Sequence, residues 1–110
     1  MKHDLEQLTK LLVAFRDERD WKQFHNPKDL SLALSVEAAE LLECFLWKSP
    51  EEANPQKLRE ELADVFAYAL LLAHELDMDV AEIVRDKIEL NRRKYPVDKS
   101  IGSARKYDEL

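Results

Sequence analysis

The placement of proline and glycine constrains this chain more than any other feature. Its 110 residues include one Gly and four Pro. Pro27, Pro50 and Pro55 each follow an Asn or a Ser, and Pro96 closes the run "KIELNRRKYP". Asn or Ser ahead of Pro marks a helix start: the polar side chain caps free N–H groups, and proline at the first helical position has no N–H to lose. The long stretches between these marks carry no helix breaker and are rich in Leu and Ala, so the chain reads as all-helical. The first helix is expected from about Asp4 to Asp20, with Leu5, Leu8, Leu12 and Phe15 on one stripe. The second opens at Asn26-Pro27, with Asp29 as a first-turn acid, and runs to about Trp47. The third runs from Pro55 to about Leu76. Asp79 and Glu82 make a capping-box pair for a fourth, which stops near Tyr95 because Pro96 follows. Short links between long helices imply an antiparallel four-helix bundle. Residues 1–110 form one domain by length, with 96–110 an irregular tail holding the sole Gly.

Charge is unevenly spread. The net charge is −6, from 17 basic and 23 acidic side chains. Residues 85–110 hold eight Lys or Arg against five acids, so this part is positive and the remainder strongly negative. Such a split suits holding cations with one part and phosphates with the other, and argues against a broad basic face for a nucleic acid polymer. The lone Cys44 has no intrachain disulfide partner and gives no sign of an oxidising compartment. The start "MKHDLEQL" lacks the apolar region of a signal peptide, and the uncharged stretch Val65 to His74 is too short to span a bilayer. The expectation is a soluble cytoplasmic protein.

The second helix, "SVEAAELLECFLWK", is apolar over most of its circumference, yet carries Glu37 and Glu40 about 60° apart on one side. A helix of this kind is expected to be buried in the bundle or in a subunit interface. In the third helix, "EELADVFAYALLLA", Glu61 and Asp64 repeat the arrangement beside Leu58, Leu62, Val65, Ala69 and Leu72. Tyr68 lies one turn from Asp64 on the same edge. Antiparallel packing brings the four carboxylates together, and two such charges 5 Å apart repel by ~3 kcal/mol at an effective dielectric near 20. One acid pair on a helix is commonly solvated or paired with Lys. Two pairs on successive helices within apolar sectors call for a counter-charge, and only Lys48, Lys57 and Arg59 lie between Glu37 and Asp64. A hard divalent cation with oxygen ligands fits, Mg²⁺ first and Mn²⁺ as a substitute. A di-iron site would need Glu-x-x-His pairs, which neither His25 nor His74 completes. Zinc finds no His/Cys ligand spacing, and His3, His25 and His74 read as surface residues or local hydrogen-bond partners.

On the fourth helix Lys87, Asn91 and Tyr95 recur every four residues and share a face. Arg92, Arg93 and Lys94 crowd its last turn, either complementing the helix dipole or gripping phosphates. Trp21 and Trp47 sit at helix ends; each either plugs the bundle end or, with Tyr68 or Tyr95, sandwiches a flat base. The tail "SARKYDEL" adds Arg105 and Lys106, phosphate partners if the tail folds over the site and a solvated terminus otherwise.

With "ERDWKQFHNP" and these four stretches together, the chain resembles the MazG-like all-α nucleoside triphosphate pyrophosphohydrolases, in particular the dCTP pyrophosphatase branch, from about Phe15 to Leu110. The family pattern of Glu-x-x-Glu followed by Glu-x-x-Asp is met by Glu37, Glu40, Glu61 and Asp64, with twenty residues between the pairs. The resemblance implies that these four bind Mg²⁺, and that Trp21 and Trp47 stack on the base with Tyr68 nearby. It further implies that Lys87, Asn91 and Tyr95 contact the nucleotide and that the chain forms a tight homotetramer with active sites near subunit boundaries. The activity expected is hydrolysis of a deoxynucleoside triphosphate, dCTP or a related cytosine nucleotide, to the monophosphate and pyrophosphate. Glu40, ahead of Glu37, is the expected base for the attacking water, with Lys87, Lys94 and Arg105 stabilising phosphates. Relatives carry His in the first helix where this chain has Leu12, and their connection between the acid pairs is longer. The alternative is a non-catalytic helical nucleotide- or metal-binding assembly module.

Overall fold

Every long helix begins at a side chain that caps it. Asp4 accepts the Gln7 N–H at 2.8 Å and opens α1, Leu5–Glu18. Asn26 accepts the Asp29 N–H at 2.9 Å ahead of Pro27, the first residue of α2, Pro27–Glu43. Asn54 accepts from the Gln56 and Lys57 N–H groups at 2.9 and 3.2 Å, and Pro55 then starts α3, Pro55–Glu75. Asp79 accepts the Glu82 N–H at 2.9 Å at the head of α4, Val80–Lys94. A four-residue helix α5, Val97–Ser100, follows, with 3-10 turns at Lys22–Phe24, Pro50–Glu52 and Tyr107–Glu109. This computed structural model describes residues 4–110; His3 lies outside the described residues. No strand occurs among them, so the all-α expectation holds.

Helix ends are harder to make with one glycine. α1 and α3 close with Asp20 and Asp77 in the left-handed conformation, at φ 56° and 55°. Trp21 N–H reaches back to the Arg16 carbonyl and Met78 N–H to the Ala73 carbonyl, at 3.1 and 2.9 Å. These are Schellman turns with Asp in the place glycine usually takes. α2 ends differently, and sooner than the expected Trp47. After Glu43 the N–H groups of Cys44, Phe45 and Leu46 bond to carbonyls three residues back, tightening the turn, and Trp47 takes φ 60°. Trp47 therefore stands in the turn after α2 and not on the helix that carries Glu37 and Glu40.

The chain divides into two compact units, one ending at Met78 and the other spanning Asp79–Leu110. In the first, α2 lies along α3, and α1 packs on α3 over a smaller surface. The link from Cys44 to Asn54 is short for two long helices packed side by side, so α2 and α3 run antiparallel. Leu30, Ala53, Leu70, Leu71 and Ala73 are buried here, and with them Arg16, whose guanidinium bonds Glu75 at 2.6 Å. The apolar surround of α2 is not buried within the chain: Leu32, Val36 and Leu42 are each more than half exposed.

In the second unit the tail, expected to be irregular, contains α5 and the Tyr107–Glu109 turn. Tyr107 meets the ring of Tyr95 edge-on at 6.2 Å and lies 4.8 Å from the Lys94 ammonium, which folds the tail back onto the end of α4. No helix among the described residues is long and apolar enough to cross a membrane.

Candidate metal and nucleotide site

Antiparallel packing of α2 on α3 brings acids from both helices to one place. Glu37, Glu61 and Asp64 each offer a carboxylate oxygen, and these oxygens lie within 4.8 Å of one another. Glu37 and Glu61 are half-buried and Asp64 is exposed. Glu40, also half-buried, is close enough to Glu37 and Glu61 to raise the pKa of each, but its oxygens are not among the three that converge.

The electrostatics follow from that crowding. Burial pushes the Glu37 carboxyl up to about 7, and the neighbouring Glu40, Asp64 and Glu61 carboxylates push the same way. Glu61 is raised by burial first, then by Glu40 and Asp64. Tyr68, half-buried one turn beyond Asp64, has its phenol raised by burial and by the charges of Glu37, Asp64 and Glu40. No Lys or Arg among the described residues forms an ion pair with any of the four acids.

Two further atoms bear on what the cluster holds. Glu37 Oε2 and Glu61 Oε2 are buried with no hydrogen-bond partner. A buried carboxylate oxygen left unpaired forfeits its hydration without replacement. A hard divalent cation, which takes oxygen ligands, fits this donor set and would satisfy both atoms. The set contains neither His nor Cys, which disfavours zinc.

The aromatic and basic residues fall into separate places. Trp21 follows the Schellman turn of α1 and is 43 % exposed, with its indole edge-on to Phe15 at 5.8 Å. Trp47 is 94 % exposed. Its φ of 60° puts a bulky side chain in the left-handed region, strained and almost unpacked. Lys87, Asn91, Lys94, Tyr95 and Arg105 all belong to the second unit. There Lys87 and Arg105 are exposed while Asn91 and Lys94 are half-buried. Arg105 lines a shallow concavity of the tail with Lys99 and Ser103, and its N–H bonds the Ser103 hydroxyl at 3.2 Å. His25 is half-buried with its Nδ1 unpartnered and its pKa lowered, by burial first and then by Arg16; His74 is exposed.

Sequence reasoning missed the Arg16–Glu75 pair and the packing of Phe15 and Arg19 on Trp21. The signal for the first was present, since Arg16 falls four residues after Leu12 on the apolar stripe of α1.

Residues 32–110 match the model of the MazG-like family. The chain belongs to the MazG-like family. Among curated proteins it is 45 % identical to dCTP pyrophosphatase 1 of Bos taurus over 114 aligned residues, covering 96 % of this chain and 68 % of that one. The Homo sapiens protein of the same name is 43 % identical, with 96 % and 67 % covered. A solved pyrophosphatase from Archaeoglobus fulgidus superposes with a TM-score of 0.79 at 40 % identity, covering 87 % of this chain and 95 % of that one. The acid cluster, the whole of α3 and α2 from Leu32 onward lie within the residues that match the MazG-like family.

Proposed function

We propose that the protein is a divalent-metal-dependent nucleotide pyrophosphohydrolase that converts dCTP, or a related cytosine deoxynucleotide, to the monophosphate and pyrophosphate. The observation that carries this reading is the convergence of Glu37, Glu61 and Asp64 oxygens with two buried oxygens unpartnered. Relatives named dCTP pyrophosphatase supply the substrate class.

Glu37, Glu61 and Asp64, with Glu40 beside them, would hold the divalent cation, Mg²⁺ in the first instance. A bound divalent cation supplies neutralisation of phosphate charge and a lowered pKa for water. Glu40, outside the converging three, takes the proton from the water that attacks the α-phosphorus. The new P–O bond forms as the bond to the bridging oxygen breaks, and pyrophosphate departs with that oxygen. Trp21 and Trp47 stack on the base with Tyr68 beside it. From their chemistry and the family resemblance alone, Lys87, Asn91 and Tyr95 are the residues we assign to the nucleotide, and Lys94 and Arg105 those we assign to its phosphates, within one MazG-like domain of residues 1–110. The working form is a homotetramer in the cytoplasm, acting on free nucleotides and not on nucleic acid.

Turnover of dCTP with Mg²⁺ tests the reading, followed by pyrophosphate release in wild type, Glu40→Gln, Glu61→Gln and Asp64→Asn. Wild type is expected to release pyrophosphate and each variant to lose at least about a hundredfold in kcat. Orthophosphate as the first product sinks the reaction assignment; full activity in Glu61→Gln and Asp64→Asn sinks the metal site.

A further inference from the structure

The Schellman turn that ends α1 does more than stop a helix, because it sets the position of Trp21. The Trp21 N–H bonds the carbonyl of Arg16 at 3.1 Å, and Asp20, at φ 56°, turns the chain between them. The indole meets Phe15 edge-on with planes at 73°, and the Arg19 guanidinium lies 3.7 Å from the Phe15 ring centroid and 6.0 Å from that of Trp21. Ring and backbone are thus both fixed on the last turn of α1.

That turn is itself tied to α3. Arg16 is 2 % exposed, and its guanidinium bonds Glu75 at 2.6 Å and Asp17 at 3.2 Å. Glu75 is the last residue of α3, the helix that carries Glu61 and Asp64. A buried guanidinium cannot shift without stranding its charge, so the pair resists sliding of α1 along α3. The plain account is that Arg16 and Glu75 only staple two helices together. That account leaves Trp21 unexplained, since an indole held this firmly is still 43 % exposed and so not there to fill a core.

We propose that Arg16 and Glu75 are positioning residues that fix Trp21 on the frame of α3, and so govern affinity for the nucleotide base without governing the cleavage step. The inference rests on the reading of Trp21 as a base platform. A misplaced platform weakens binding of ground state and transition state alike, which raises KM and spares kcat.

The test uses the whole chain with dCTP and Mg²⁺. Glu75→Met breaks the pair, Glu75→Gln keeps an acceptor for Arg16, and Arg16→Met/Glu75→Met removes both charges, so that no buried charge is stranded and folding is retained. Glu75→Met and the double variant are expected to raise KM about tenfold with kcat within about twofold of wild type. Glu75→Gln is expected to restore KM to near the wild-type value, and in a Trp21→Leu background the same changes leave KM unmoved. Acrylamide quenching of Trp21 emission, read in a Trp47→Phe background without nucleotide, is expected to increase in the double variant. Unchanged quenching, or an equal rise in KM with and without Trp21, overturns the inference alone. Wild-type KM in Trp21→Leu, or no dCTP turnover by the wild-type chain, overturns the underlying reading and the inference with it.

Discussion

Glu37 is where burial and charge conflict most. Its carboxyl has an ordinary value of 4.5 and is pushed to about 7 by burial and the facing acids. Between those values the folded chain keeps a proton that the unfolded chain has released. The stabilisation is therefore complete below the ordinary value and is lost as pH rises through about 7. Melting temperature in chelator is expected to be higher at about pH 5.5 than at about pH 8, and Glu37→Gln to flatten that difference. A divalent ion competes with the same proton, so Mg²⁺ is expected to raise the melting temperature more at the higher pH. An unaltered pH dependence in Glu37→Gln would remove Glu37 as its source. Trp47 presents the opposite case, a strained residue with almost no packing. Trp47→Gly relieves a left-handed φ and is expected to stabilise the fold by about 1 kcal/mol in denaturant titration while raising KM for dCTP. Lower stability with unchanged KM would show instead that the indole packs and does not bind.

At the scale of elements, the starts of helices are set by local chemistry. Asn54 caps α3, whose second turn delivers Glu61 to the site. Asn54→Ala is expected to cost about 1 kcal/mol in chemical denaturation, with little change in kcat for the folded fraction. Local chemistry of this kind was legible: Asn26-Pro27, Asn54-Pro55 and Asp79 each head the helix the sequence assigns them. The meeting of acids from α2 and α3 was legible too, because i, i+3 spacing keeps each pair on one side of its helix; that the oxygens of Glu37, Glu61 and Asp64 converge while those of Glu40 stand apart was not. Helix ends were less legible. α2 ends where the N–H groups of Cys44, Phe45 and Leu46 switch to carbonyls three residues back, and no residue type there announces that. The stripe of α1 places Arg16 toward its neighbours, but its partner could not be read, because Glu75 lies 59 residues away in sequence and only packing of α1 on α3 brings the two together. Tyr107 looked like part of a loose tail, and its packing on Tyr95 and Lys94 depends on a turn through Gly102, at φ 71°.

At the scale of the whole molecule, the first unit leaves more large apolar side chains outside than within. Leu32, Val36, Leu42, Leu46, Leu62 and Phe66 are all 45 % exposed or more, against a buried apolar set of Leu30, Ala53, Leu70, Leu71 and Ala73. Burying a Leu or Val side chain fully is worth about 1.5–3 kcal/mol, so covering this surface rivals the internal core as a source of stability. Apolar surface of that extent is what a subunit interface uses, and the homotetramer we propose would supply the cover. Helical geometry also ties that surface to the acids. Leu32, Val36 and Glu40 follow one another at four-residue steps along one edge of α2. A partner seated on Leu32 and Val36 therefore abuts Glu40, excludes water from its side of the cluster, and holds α2 against α3. Leu32→Glu/Val36→Glu places two negative charges in that contact. Light scattering is expected to report a monomer for the variant, and its melting temperature to become lower and independent of protein concentration, unlike that of the wild type. Because Glu40 loses its cover at the same time, Mg²⁺ should stabilise the variant less than the wild type in the same melts. An unchanged mass would place the subunit contact elsewhere. A monomer with wild-type Mg²⁺ response would separate assembly from the acid site and leave the edge of α2 serving only stability.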